Sequence, residues 1–182
     1  MRTAHPIVLL VTLFIVAFSS FANGQDGVTP DELKVFSPLI GKWQIQIVNR
    51  PSAVHKDAST GKAVSTVEWA LNGRFVRGTS QATTNSKERM EFEVLSTYDE
   101  RKKAYRRWLF RSDGVLAESV GEWDADTKTM NWTAVGLPEN VTYTVKTQIA
   151  NHGFTITLVG KRADGTMLID TTWKAERDSG ED

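Results

Sequence analysis

The chain has 182 residues, with 22 basic and 22 acidic side chains and no cysteine. The missing cysteine excludes disulfides, thiolate metal sites, a cysteine nucleophile and a lipid-modified cysteine. The balanced charge, with no basic patch, argues against nucleic acid as a partner.

Arg2 and His5 precede an apolar run from Ile7 to Phe18, and Ser19 to Gly24 follow with small residues at Ala22 and Gly24. Residues 1–24 read as a secretory signal peptide cut before Gln25. The run is shorter than the roughly 18 apolar residues of a membrane span. The protein is therefore expected in the periplasm or outside the cell, with no transmembrane segment once the signal is removed. Losing Arg2 leaves 21 basic against 22 acidic side chains in residues 25–182, a net charge near −1. That stretch suits one domain. All six tryptophans lie within it, and each can bury about 200 Å² in a core that no disulfide supports.

Thr29-Pro30-Asp31-Glu32 predicts a helix start, with Thr29 as cap, Pro30 in the first turn and Glu32 completing a capping box. Pro38 is expected to stop it. Leu33, Phe36 and Leu39 then share a face that can plug one end of whatever follows. Gly41-Lys42-Trp43 opens a strict alternation with Trp43, Ile45 and Ile47 on one face. Period-two patterning continues to the end and predicts ten strands near 43–49, 62–71, 74–83, 88–98, 104–112, 115–123, 128–135, 141–150, 154–162 and 166–175. Asn72-Gly73, Asp113-Gly114, His152-Gly153 and Asp164-Gly165 read as two-residue hairpin turns. Asp99 to Lys103 and Asp124 to Thr127 read as turns of five and four residues. The longer links are Arg50 to Gly61 and Gly136 to Asn140.

Turn type fixes register, and register fixes faces. The first hairpin sets Trp69 against Val76, Val67 against Gly78 and Glu68 against Arg77. The second sets Trp108 against Ser119 and Phe110 against Ala117, leaving Arg107, Arg111, Glu118 and Glu122 on the reverse. The third sets Ile149 against Ile156, and the fourth sets Gly160 against Ile169 and Ile156 against Trp173. In all four, one face is apolar and small and the other carries charge pairs and threonines. An antiparallel meander with one apolar face buries it by closing, which also removes both edges. The expected fold is all-β: an up-and-down antiparallel barrel of about ten strands with a short N-terminal helix. Small inward residues (Gly78, Ala117, Ser119, Gly121, Gly160) leave room among the large ones, and a barrel of this size can hold one small ligand.

Gly41-Lys42-Trp43 after a short helix resembles the Gly-x-Trp signature of lipocalin-like (calycin) barrels. Leu71-Asn72-Gly73-Arg74-Phe75, Tyr98-Asp99 through Tyr105, and Gly121-Glu122-Trp123-Asp124 to Met130 resemble a bacterial family of secreted proteins, domain of unknown function 1579. The resemblance implies a fold and no activity. It implies that Trp43 closes one barrel end beneath a stacked arginine. The register above nominates Arg106, with Arg74, Lys174 and Arg177 as rivals. The longer glycine-rich opening of haem-binding nitrobindin-like barrels is missing, so neither haem nor any other cofactor is expected.

With Trp43 at the closed end, Tyr143 and Arg162 face each other inward at the open one. They can fix an anionic or carbonyl head group, with an apolar tail deeper among Phe92, Trp108, Trp132 and Ile156. His55 and His152 fall at opposite ends, so no metal site is expected. Glu91 and Glu93 join Arg107, Arg111, Glu118 and Glu122 as a solvated ladder outside. The leading expectation is a secreted barrel that binds a small, mostly apolar molecule. The alternatives are a filled barrel acting as a structural or interaction protein, and an enzyme working in the cavity. The last would place a strongly shifted ionisable group inside the barrel. Oligomeric state is open.

Overall fold

The computed structural model describes residues 29–84 and 89–178, in which ten antiparallel strands follow one short helix. The signal-peptide expectation for residues 1–24 lies outside the described residues, as do residues 85–88 in the turn before Arg89. No helix among the described residues is long and apolar enough to cross a membrane.

The helix, Asp31–Leu39, is of the 3-10 type. Its three residues per turn stack Leu33, Phe36 and Leu39 in one line, and all three are buried. The expected Thr29 cap is not made. Pro30 occupies the N-cap with no side-chain hydrogen bond, and Leu33 N–H donates to the Pro30 carbonyl instead. Pro38 falls within the last turn rather than ending the helix before it.

The strands are β1 (Gly41–Asn49), β2 (Ser59–Ala70), β3 (Phe75–Thr84), β4 (Arg89–Asp99), β5 (Ala104–Arg111), β6 (Leu116–Asp124), β7 (Thr129–Ala134), β8 (Val141–Ala150), β9 (Gly153–Arg162) and β10 (Met167–Arg177). Each pairs with its sequence neighbour and β10 returns to β1, so the sheet is the closed antiparallel barrel that the alternation implies. The Asn72-Gly73 hairpin has the expected register, with Trp69 opposite Val76 and Glu68 opposite Arg77. So has the last hairpin over most of its length, with Gly160 opposite Ile169 and Ile156 opposite Trp173. The β8–β9 turn is centred on Asn151-His152, which sets Ile149 against Phe154 and Thr147 against Ile156. Gly153 is needed in the strand: a Cβ there would stand 2.1 Å from the Ala175 carbonyl oxygen of β10. This slip spans two residues, so no side chain changes face.

β5 does change face. Asp99 belongs to β4 and pairs with Ala104, which leaves a four-residue link in place of five. The Asp99 carboxylate accepts the Arg101 and Lys102 N–H groups, and Lys103 takes a positive φ. At the other end of β5 the loop has three residues, Ser112 to Gly114, closed by Arg111 N–H to the Val115 carbonyl, with Gly114 at φ +86°. A turn followed by a left-handed glycine is the favoured three-residue hairpin. One residue fewer at one end and one more at the other flips β5 alone. Tyr105, Arg107, Leu109 and Arg111 point inward, opposite Tyr98, Ser96, Val94 and Phe92. Arg106, Trp108 and Phe110 point outward, contrary to expectation.

The closed end is built around Trp43, which is 2% exposed. Its indole Nε1–H donates to the Leu39 carbonyl at 2.7 Å, and its ring meets Phe154 edge-on at 4.9 Å. The helix lies over the same end. Phe36 stacks on Trp132, and the Tyr105 hydroxyl donates to the Glu32 carbonyl. The arginine over Trp43 is Arg177, at 4.7 Å, donating to the Ile40 and Pro38 carbonyls. Arg106 does not fill that role. It lies outside the barrel, over Trp108 at 5.2 Å, paired with Glu118 and Asp99.

Trp43→Ala should cost about 3–5 kcal/mol of stability in urea unfolding, the range for a large buried aromatic. The turns add a pH dependence. The Lys102 N–H holds Asp99 below the usual carboxylate range, and Arg111, Thr127 and Thr166 do the same for Asp113, Asp124 and Asp164. A depressed folded pKa stabilises above the unfolded value and loses that stabilisation as pH falls through the folded one. The melting temperature should therefore drop below about pH 4. Asp124→Asn, read by thermal melts across pH, should make that drop shallower.

Candidate functional site

Trp43, Arg177 and the helix cover one end of the barrel. Near that end the inward Ile45, Tyr105, Met130, Trp132 and Phe154 are buried. Half-buried inward residues occur along the whole barrel, with Val67, Trp69, Tyr98 and Trp123 towards the helix end among them, while Asn49, Ala82 and Thr171 towards the other end are buried. Val94, Leu109, Val145, Leu158 and Ile169 are also inward and half-buried. Together these five make the inner wall apolar on β4, β5, β8, β9 and β10. Phe92 and Trp173 meet edge-on across the lumen at 5.4 Å and narrow it. A concavity of about 590 Å³ along β1–β5 is lined from inside by Trp43, Ser65, Ser80, Phe92 and Arg111. Outward Thr66, Thr79, Gln81, Glu91 and Glu93 also contribute to its wall.

The expected site residues are only partly brought together. Phe92, Trp132, Ile156 and Tyr143 face inward. Trp108 does not; the flip of β5 turns it outward beneath Arg106. Tyr143 and Arg162 do not face each other either. Tyr143 stands opposite Gly160, where a Cβ would lie 2.5 Å from the tyrosine ring, and Arg162 stands opposite Val141, exposed at the rim. In the expected outer ladder, Glu91, Glu93, Glu118 and Glu122 are outward, but Arg107 and Arg111 are inside. Arg111 reaches over Phe92 at 5.9 Å and pairs with Asp113 in its own turn. His55 is in the β1–β2 link and His152 in the β8–β9 turn, at opposite ends. Among the described residues, no group of three His, Cys, Asp or Glu is placed to hold a metal ion.

Arg107 is the residue that sequence reasoning misplaced. Its guanidinium lies 4.7 Å above the Trp132 ring. Its Nε–H is buried without a hydrogen-bond partner, and among the described residues it has no ion-pair partner. Burial lowers its pKa to about 10. Burying a charge costs free energy that a neighbouring counter-charge normally offsets, and no strand of the barrel presents a carboxylate inward. This is the strongly shifted interior group that an enzyme reading would look for, but it remains protonated at neutral pH. It can bind and orient an anion. It is a poor general acid or base.

A family model described as "Protein of unknown function (DUF1579)" matches residues 30–167. No curated protein matches the chain. Among solved structures, Rv2717c from M. tuberculosis is similar at a TM-score of 0.64 and 12% identity, covering 82% of this chain and 99% of that one. The S-type phycobiliprotein lyase CPES from Guillardia theta is similar at a TM-score of 0.57 and 9% identity, covering 86% of this chain and 97% of that one. At such identities the likeness is one of fold.

An unpaired interior charge destabilises the ligand-free protein. Arg107→Met keeps the length and removes the charge. It should raise ligand-free stability by about 1 kcal/mol or more in urea unfolding at pH 7, after allowing for the lost contact with Trp132.

Proposed function

This chain belongs to the DUF1579 family, and on that premise we propose that it is a lipocalin-like binding barrel, secreted or periplasmic, that takes one small, mostly apolar molecule through its open end. The observation that carries this reading is the half-buried apolar wall formed by Val94, Leu109, Val145, Leu158 and Ile169 in a barrel whose other end is covered by Trp43, Arg177 and the helix. Such a wall, with few polar groups, is how small-molecule sites are generally built. Phe92, Trp132, Ile156 and Tyr143 would contribute to the same site. The charged, apolar and small-residue segments of residues 1–24 support an exported protein. The phycobiliprotein lyase is a precedent for a barrel of this build in a protein with an activity of its own.

A second reading has one specific observation in its favour. Phe110 and Leu116 pair on the outer face beside the mouth, 42% and 65% exposed, with Val115, Val135 and Leu137 exposed nearby. Apolar groups gathered outside a barrel suit a partner protein, and the Phe92–Trp173 contact suits a partly filled lumen.

Native mass spectrometry of the purified protein separates the two. A stoichiometric mass excess that disappears on denaturation is expected. Leu158→Trp, which narrows the lumen without touching the outer face, should abolish it. A clean unliganded mass, with no tryptophan fluorescence response to fatty acids, isoprenoids or tetrapyrroles, would leave the filled barrel acting through its surface.

A further inference from the structure

Three adjacent strands present three hydrogen-bond donors in one row inside the barrel. Ser96 on β4 is paired with Arg107 on β5, which is paired in turn with Ser119 on β6. Both serines are buried, 6% exposed each, and among the described residues neither hydroxyl forms a hydrogen bond within the protein. The Arg107 guanidinium lies 4.7 Å over the Trp132 ring, which is itself stacked on Phe36 of the helix. The row one step nearer the mouth contains Val94, Leu109 and Ala117, without a polar side chain. On these three strands a polar, cationic row is therefore followed by an apolar one, with Arg111 beyond it at the end of β5.

Resting on the reading of the barrel as a ligand-binding one, we propose that Ser96, Arg107 and Ser119 form the seat for the carboxylate of an amphiphilic monoanion, which binds head-inward with its apolar body running past Val94, Leu109 and Val145 to the mouth. A guanidinium matches a carboxylate bidentately, and the two hydroxyls can donate to the same oxygens. One cation without a carboxylate partner balances one negative charge. A phosphate monoester, carrying closer to two, would bring uncompensated charge into the lumen. The orientation is the reverse of a clamp at the rim. Arg162 is exposed there, and Arg111 is already committed to Asp113. The lowered pKa of Arg107 fits a charge waiting for a counter-ion.

The test uses the purified full chain and three probes with the same tail: laurate, dodecan-1-ol and monododecyl phosphate, titrated by calorimetry. Laurate should bind tighter than the alcohol by about tenfold to a hundredfold, the range for charge-assisted hydrogen bonds. Arg107→Gln should erase that preference while leaving the alcohol within about threefold of its wild-type affinity. Ser96→Ala with Ser119→Ala should weaken laurate alone, by about tenfold. In the unaltered protein, laurate but not dodecanol should shift and protect the Arg107 Nε–H resonance, which decides the matter even where a variant folds poorly. Equal binding of laurate and dodecanol would overturn the carboxylate seat and leave the binding barrel standing. A preference for the phosphate would overturn the monoanion. No binding by any of the three, with no mass excess in the native protein, would overturn the seat and the binding barrel together.

Discussion

Trp43 and Arg177 stand opposite each other on β1 and β10, the two strands that close the barrel. The guanidinium covers the indole and donates to two carbonyls at the end of the helix. One contact therefore ties together the first strand, the last strand and the plug. Without the β1–β10 ladder the sheet would have two edges, each a row of unpaired backbone groups open to association with other chains. With it, the backbone is satisfied around the ring. The covered end of the barrel follows from that one closure.

The consequence for chemistry runs through β5. Ala104 to Arg111 reads Ala-Tyr-Arg-Arg-Trp-Leu-Phe-Arg. One set of alternate residues offers Tyr105, Arg107, Leu109 and Arg111; the other offers Arg106, Trp108 and Phe110. Each set mixes large apolar groups with arginine, so burial alone scarcely distinguishes them. The turns decide. Asp99 collects two N–H groups and shortens one link, and Gly114 in a left-handed conformation lengthens the other. Inside, Tyr105 then reaches the helix through Glu32, and Arg107 comes to rest on Trp132. Outside, Arg106 covers Trp108 and satisfies Glu118 and Asp99 in solvent, where such pairs are worth little. The two adjacent arginines have opposite fates because strand neighbours point to opposite faces.

An arginine inside a barrel with no counter-charge among the described residues works against stability. Two buried serines stand beside it, an aromatic ring lies against it, and an apolar row follows on the same three strands. Among the described residues, the titratable groups on the inner wall are arginines and tyrosines. Histidine, the side chain best suited to proton transfer near neutrality, occurs among the described residues only in the loops at either end.

The sequence by itself determined the ten strands, their meander order, the closed antiparallel barrel and the face of nine strands. Period-two alternation is a local property, and the β8–β9 register error spanned two residues, which preserves faces. It also determined that Trp43, Phe92, Trp132, Ile156 and Tyr143 point inward. Tertiary structure alone decided the face of β5, because a one-residue difference in two turn lengths outweighs an alternation that is equally apolar on both sides. That decision removed Trp108 from the lumen and brought Arg107 into it. It also decided which arginine covers Trp43, since Arg177 reaches the tryptophan only through the pairing of the first and last strands. The row of Ser96, Arg107 and Ser119 was not legible in the sequence, because the three are distant in the chain and meet only once two registers are fixed.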